Sequence, residues 1–214
     1  MLELGVFTFN PFQENTFVVH DGAQAILIDP GCWNAAEERE LESWLAKNAL
    51  TPVRLVLTHA HIDHVLGCAW VHRRYGLLPE LHKADLPLLH AAPRQGDLYG
   101  IPCEASPEPA HFIEAGDVIH LGDHELQVLF VPGHAPGHIA LFSEKQRFVI
   151  SGDVLFRDSM GRTDLPGGDE PTLLKSIREV LFPLGDDVKV YCGHGSETTI
   201  GRERKMNPYL RENK

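Results

Sequence analysis

The stretch Val53-Arg54-Leu55-Val56-Leu57-Thr58-His59-Ala60-His61-Ile62-Asp63-His64 decides how this chain is read. Val53–Thr58 is a short apolar run of the kind a buried strand shows. Four side chains of metal-ligand type follow it at once. Alternate residues of an extended segment point the same way, so His59 and His61 converge on one ion. Asp63 and His64 lie where the chain turns toward a helix, and they face a neighbouring point. Such a run arises by chance about 0.003 times in a chain of this length and composition, a small false-positive risk.

Three further residues share one type of position. His134 follows the strand that ends at Val131, Asp153 follows Arg147–Ser151, and His194 follows Val188–Cys192. Each lies just past the carboxyl end of an apolar strand, where functional side chains gather. If those strands run parallel or are otherwise suitably arranged, all seven side chains meet at one rim. Five imidazoles and two carboxylates suit zinc, iron or manganese, and they disfavour copper–thiolate or calcium chemistry. Seven ligands are too many for one tetrahedral ion. They suit two ions about 3.5–4 Å apart, with a carboxylate between them.

Outward from these residues, the first part of the chain reads as strands. Leu4–Phe9 and Thr16–His20 are β-rich, and Asp21-Gly22 turns the chain into Gln24–Asp29. Asp29-Pro30-Gly31 breaks that strand. Asn34 caps a predicted helix Ala35–Lys47 with Leu41, Trp44 and Leu45 on its apolar face. Helices are predicted near Gly67–Tyr75 and Lys83–Leu89, and the Pro-rich stretch Ala92–Pro109 reads as an irregular internal loop. Within it, Arg94–Gly100, with Tyr99, reads as surface. The second half carries predicted strands at Val118–Leu121, Glu125–Val131, Ile139–Ser143, Arg147–Ser151 and Val188–Cys192, with a helix at Pro171–Leu181. No linker divides the chain, so residues 1–214 are expected to form a single domain of α/β class, two sheets packed together with helices outside.

Composition narrows the function. Of 214 residues, 43% are apolar and 23% charged, as in soluble globular proteins. No run reaches the length of a membrane span, and the N-terminus does not read as a secretory signal. The net charge of −11 opposes nucleic-acid binding. The basic residues Arg202, Arg204, Lys205 and Arg211 are diluted by Glu203 and Glu212 and read as a solvated face. Cys32, Cys68, Cys103 and Cys192 form no close pair, as expected of reduced thiols in a cytoplasmic protein. Trp33, Trp44 and Trp70 are expected to pack, Arg162 to pair with Asp164, and His138 either to support the ligands or to pack beneath them.

The run His59-Ala-His61-Ile-Asp63-His64, with His134, Asp153 and His194 in order, resembles the metallo-β-lactamase fold superfamily. Val131-Pro-Gly-His134-Ala-Pro-Gly-His138, Gly161-Arg-Thr-Asp-Leu-Pro-Gly-Gly168 and the segment Gly193–Pro208 are similar to those of short, single-domain glyoxalase II-like hydrolases. The resemblance implies a four-layer αββα sandwich. It implies that His59, His61 and His134 hold one metal, that Asp63, His64 and His194 hold the second, and that Asp153 bridges them. The absence of a cysteine ligand at the Asp153 position favours the glyoxalase II-like side.

The activity implied is hydrolysis of a small-molecule thioester such as S-D-lactoylglutathione, with two divalent ions, zinc foremost and iron or manganese also accepted. A metal-bridged hydroxide would attack the carbonyl, with Asp63 as ligand and orienting catalytic residue. The thiolate leaving group, with a pKa near 8.5, needs no strong general acid. Full-length glyoxalase II adds a helical C-terminal extension that grips glutathione. This chain ends at Lys214, soon after His194, and is expected to lack that grip. The alternatives are a mononuclear-iron persulfide dioxygenase relying on His59, His134 and Asp153, which the Gly161-Arg-Thr-Asp164 segment also resembles, and a lactonase or other ester hydrolase of the same fold.

Overall fold

The computed structural model describes residues 1–109 and 111–210. The chain divides into two compact units, Met1–Ile113 with His120–Glu125, and Glu114–Ile119 with the described residues from Leu126 onward.

The first unit holds β1 (Glu3–Phe9), β2 (Glu14–His20), β3 (Gln24–Ile28), α1 (Ala35–Lys47), β4 (Thr51–Val56), α2 (Ile62–Val65), α3 (Cys68–Tyr75), β5 (Pro79–Leu81), α4 (Leu86–Tyr99) and β6 (His111–Phe112). Its six-stranded sheet runs in the order β1-β2-β3-β4-β5-β6. The first three strands are antiparallel; β3, β4, β5 and β6 are parallel. Parallel neighbours need crossover connections, and α1, the α2–α3 pair and α4 supply them. The carboxyl ends of β3, β4 and β5 therefore share one edge, which Asp29, His59 and Asp85 follow.

Local chemistry explains these elements. Asp21 Oδ1 accepts the amides of Ala23 and Gln24 at 2.9 and 2.8 Å, closing the β2–β3 hairpin. Asn34 caps α1 by accepting from Ala36 and Glu37, as its sequence predicts. Leu41 and Leu45 are buried with Val18, Leu27 and Leu55, and truncating Leu41 to alanine costs about 2–5 kcal/mol. Trp44 is half-buried and sets its ring edge-on to Phe7 at 5.4 Å. Trp33 and Trp70 pack against the same core.

One expectation is corrected here. A 3₁₀ turn at Lys83–Asp85 leads into α4, which runs to Tyr99 and so takes in the first part of the stretch expected to be irregular. Pro87 lies in the first turn, where a missing N–H costs no helical bond. Buried Leu89, Ala92 and Gly96 form a stripe at helical spacing, and this packing outweighs Pro93 within the helix. The described irregular part is confined to Ile101–Pro109. Tyr99 is exposed and lies edge-on to Phe12 at 5.7 Å.

The second unit carries β7 (Val118–Leu121) and β8 (His124–Phe130), apart from their residues within His120–Glu125, and with them β9 (Ile139–Ser143), β10 (Phe148–Gly152), β11 (Leu155–Phe156), β12 (Ser159–Met160), α5 (Glu170–Lys175), β13 (Lys189–Cys192), β14 (Thr198–Thr199) and α6 (Ile200–Met206). Its sheet runs β14-β13-β10-β9-β8-β7. Strands β8, β9 and β10 alternate in direction, and β10 and β13 are parallel. Hence β8, β10 and β13 all end at the same edge, the arrangement the sequence reading required of them. The helix expected over Pro171–Leu181 starts as α5 and widens into a π turn over Ser176–Leu181, whose Ser176 hydroxyl donates to Pro132 O at 2.7 Å. Leu173, Ile177 and Leu181 pack with Val149 and Val190 in this unit's core. Arg202 pairs with Asp158, and Arg204 and Lys205 with Asp186, so this basic segment is an ion-paired face. Arg211 and Glu212 lie outside the described residues.

Candidate metal centre

In the first unit, β4 delivers His59 at the sheet edge, and His61 stands in extended conformation just before α2. His59 and His64 are fully buried, His61 is 7% exposed, and the Asp63 side chain is 14% exposed. The rings of His59 and His61 lie 4.8 Å apart at right angles, and those of His59 and His64 4.1 Å apart. His64 Nε2 is 3.6 Å from Asp63 Oδ2. The four residues read from one short run thus stand together.

Three polar residues outside the run hold it in place, and the sequence reading did not single them out as site residues. Asp29, at the carboxyl end of β3, accepts the Thr58 amide at 2.7 Å and the Thr58 hydroxyl. Its Oδ2 also accepts from His64 Nδ1 at 3.1 Å. The single Thr58 hydroxyl proton goes to Asp29, so Thr58 Oγ1 accepts from His59 Nδ1, 3.1 Å away. Both imidazoles therefore carry their proton on Nδ1 and present Nε2 as a lone pair. Asp85 Oδ2 accepts the Ala60 amide at 3.0 Å, and Asn10 Nδ2 donates to the carbonyls of Gly31 and Asp63, each at 3.0 Å. A Cβ at Gly31 would lie 2.0 Å from Glu14 Oε2, so only glycine lets the chain pass here. Burial pushes the Glu14 carboxyl well above the usual carboxylate range; His64 opposes the rise, and Asp29 and Asp63 add to it. The signal for Asp29 was present, since it follows a strand's carboxyl end as Asp153 does. Asn10 and Asp85 gave no such signal.

In the second unit, His134, Asp153 and His194 follow β8, β10 and β13. His134 and Asp153 are buried, and the His194 side chain is 27% exposed. One oxygen, Asp153 Oδ2, lies 3.5 Å from His134 Nε2 and 3.4 Å from His194 Nε2. His134 Nδ1 donates to the Arg162 carbonyl at 2.7 Å. A carbonyl only accepts, so Nδ1 carries the proton and neutral Nε2 turns a lone pair toward the carboxylate. Two acceptors facing each other in a buried site call for a cation between them or a second proton on the ring. Gly133 adopts φ +129°, and a Cβ there would lie 2.2 Å from Leu173 N, so glycine is required beside His134.

Arg162 and Asp164 form a two-bond pair at 2.7 and 2.6 Å, which lowers the Asp164 carboxyl to about 2. His138 is fully buried and accepts the Asp153 amide at 3.0 Å, so it lies directly beneath a candidate ligand. All four cysteines are free thiols. Burial pushes them up, Cys103 to about 11 and Cys192 to about 12, so they are neutral near pH 7. Among the described residues, no helix is long and apolar enough to cross a membrane.

The donor sets fit divalent metal ions. Each unit offers imidazole Nε2 atoms and carboxylate oxygens, and three of the rings have Nδ1 engaged elsewhere, the arrangement that orients metal-ligating histidines.

Comparison with known proteins agrees. The profile of the metallo-β-lactamase superfamily matches residues 9–194. The chain is 34% identical to hydroxyacylglutathione hydrolase GloC of Haemophilus influenzae over 212 residues, 98% of each chain. It superposes on the crystal structure of BLEG-1 B3 metallo-β-lactamase with a TM-score of 0.89 at 35% identity, covering 98% of this chain and 100% of that one. The crystal structure of TTHA1623 in a di-iron-bound form gives a TM-score of 0.87 at 38% identity, covering 96% and 100%. With this fold and these histidine and aspartate groups, the chain belongs to the metallo-β-lactamase superfamily and is a metal-dependent hydrolase of that family.

Proposed function

We propose that this protein hydrolyses thioesters of the S-D-lactoylglutathione type. The observation that carries this reading is the alignment with GloC, which bears the name hydroxyacylglutathione hydrolase and is matched over 98% of both chains. The match takes in 98% of GloC's own length, which supports glutathione thioesters as substrates of a chain of this span. Aspartate at position 153, where a thiol ligand would stand in several β-lactamases of this fold, supports the same reading.

In this proposal His59, His61 and His134 would hold one ion, Asp63, His64 and His194 would hold a second, and Asp153 would be shared between them. Its support is the superfamily match, which runs from residue 9 to residue 194 and so takes in both donor sets. Divalent ions bound there lower the pKa of water toward neutrality and polarise a carbonyl. The chain's own contribution is positional. Asp29 and Thr58 hold His59 and His64 with Nε2 available, and the Arg162 carbonyl does the same for His134. Asp63 stands beside His64 Nε2 as the residue that orients the attacking water. The thiol product leaves as thiolate without a dedicated acid. Zinc is the first choice of metal; TTHA1623 with two irons supports iron as a second. Free thiols without disulfides support a cytoplasmic setting.

The test is the rate of S-D-lactoylglutathione hydrolysis by protein of measured metal content. A kcat/KM above roughly 10⁴ M⁻¹s⁻¹ supports the reading. No hydrolysis with two metals bound overturns it. Oxygen uptake with glutathione persulfide would replace it with the dioxygenase. Turnover confined to β-lactams would replace it with the activity that BLEG-1's name carries, and turnover confined to lactones with a lactonase.

A further inference from the structure

We propose that His138 is a positioning residue that sets the Asp153 carboxylate through a hydrogen bond to the Asp153 backbone; this rests on the metal reading of Asp153 given above. The parallel ladder of β10 with β13 shifts register between Ile150 and Gly152 and ends at the pair Gly152–Cys192, where Gly152 takes a positive φ of 50°. The Asp153 amide thus emerges beyond the ladder, inside the protein, where a buried N–H needs an acceptor. His138 supplies it. Its Nε2 accepts the Asp153 amide at 3.0 Å, while its Nδ1 lies 3.1 Å from the Ile139 carbonyl.

These partners leave one protonation state. A carbonyl only accepts and an amide only donates, so Nδ1 carries the proton and Nε2 offers its lone pair. His138 is fully buried, and its ring lies 5.9 Å from that of His134. One loop, His134-Ala-Pro-Gly-His138, therefore contributes a candidate ligand and the support for another candidate on a different loop. An apolar side chain of similar size would fill the space but could not accept the amide. The Asp153 backbone would then be free to turn, and with it Oδ2, which faces His134 and His194 at 3.5 and 3.4 Å.

The experiment compares wild type with His138→Leu and His138→Gln. Glutamine's Oε1 can reach the position of Nε2 and accept the amide; leucine cannot. In metal-free protein, the Asp153 amide proton is expected to exchange at least about tenfold faster in the leucine variant and near the wild-type rate in the glutamine variant. In Co²⁺ titrations against a competing chelator, leucine is expected to weaken binding about 10- to 100-fold and to alter the Co²⁺ absorption bands, with glutamine restoring most of both. A leucine variant with wild-type exchange and wild-type Co²⁺ affinity overturns the inference, as does a glutamine variant as impaired as the leucine one. If wild type takes up no Co²⁺, the metal reading falls, and the inference with it. If wild type binds two Co²⁺ but does not hydrolyse thioesters, the proposed substrate falls and His138's role stands on the variants.

Discussion

The two donor sets are built in opposite ways. In the first unit four candidate ligands come from the single run His59–His64, and residues from three other places, Asn10, Asp29 and Asp85, clamp the run. In the second unit three candidates come from three separate loops, and one oxygen, Asp153 Oδ2, draws two imidazoles together. The first set is local in sequence and needs outside support to hold its shape. The second is dispersed and depends on strands β8, β10 and β13 ending at one edge. Loss of Asp153 should therefore undo chemistry, whereas loss of a clamp residue should also cost stability.

The largest effect is expected from Asp153→Ala. It removes the carboxylate shared by His134 and His194 and should abolish turnover and lower metal content at both proposed sites, as elemental analysis and hydrolysis rates will read. A variant with two metals and near-normal rates would break the bridging assignment. Next comes Asp29→Ala. It leaves the Thr58 amide, the Thr58 hydroxyl and His64 Nδ1 without their shared acceptor in a buried site. At about 1–3 kcal/mol for an orphaned buried group, urea unfolding of metal-free protein should show a loss of at least about 2 kcal/mol. Metal affinity should also fall about 10- to 100-fold. Unchanged stability would erase the contrast between the clamped run and the dispersed set.

Arg162→Ala should have a smaller effect. The group that holds His134 Nδ1 is the Arg162 carbonyl, which the substitution keeps. Metal content should be unchanged, and kcat within about threefold of wild type, less than the 10-fold lower limit for losing a support of a metal ligand. A loss of metal would show that the exposed Arg162–Asp164 pair carries the loop.

The smallest effect is expected from Asp187→Asn, at the opposite end of β13 from His194. Arg147 donates two bonds to Asp187 and holds its carboxyl at about 2. A carboxyl lowered in the folded state stabilises above its unfolded pKa of about 3.9 and loses that contribution as pH falls toward 2. Wild type should thus exceed the variant slightly at pH 5–7, and the two should converge between about pH 4 and 2. A gap that persists to pH 2 would remove the ion pair as its cause.

Much of this site was legible because its residues carry short-range signals. His59, His61, Asp63 and His64 advertise themselves by type and spacing. His134, Asp153 and His194 are marked by the ends of apolar strands. Asn34 and Asp21-Gly22 disclose a cap and a turn through bonds made within three residues. Helix α4 was read too short because Pro93 is a local signal against a helix, while the burial of Leu89, Ala92 and Gly96 that sustains it is a tertiary fact.

The sequence by itself determined the ligand chemistry, the family likeness and most of the strands, since these rest on side-chain type and on periodicities of a few residues. The tertiary structure alone decided that β8, β10 and β13 end together, that Asn10, Asp29 and Asp85 serve the His59–His64 run, and that His138 accepts the Asp153 amide. Each of these depends on hydrogen bonds between groups far apart in the chain. Such bonds are set by strand order and register, which local spacing does not encode.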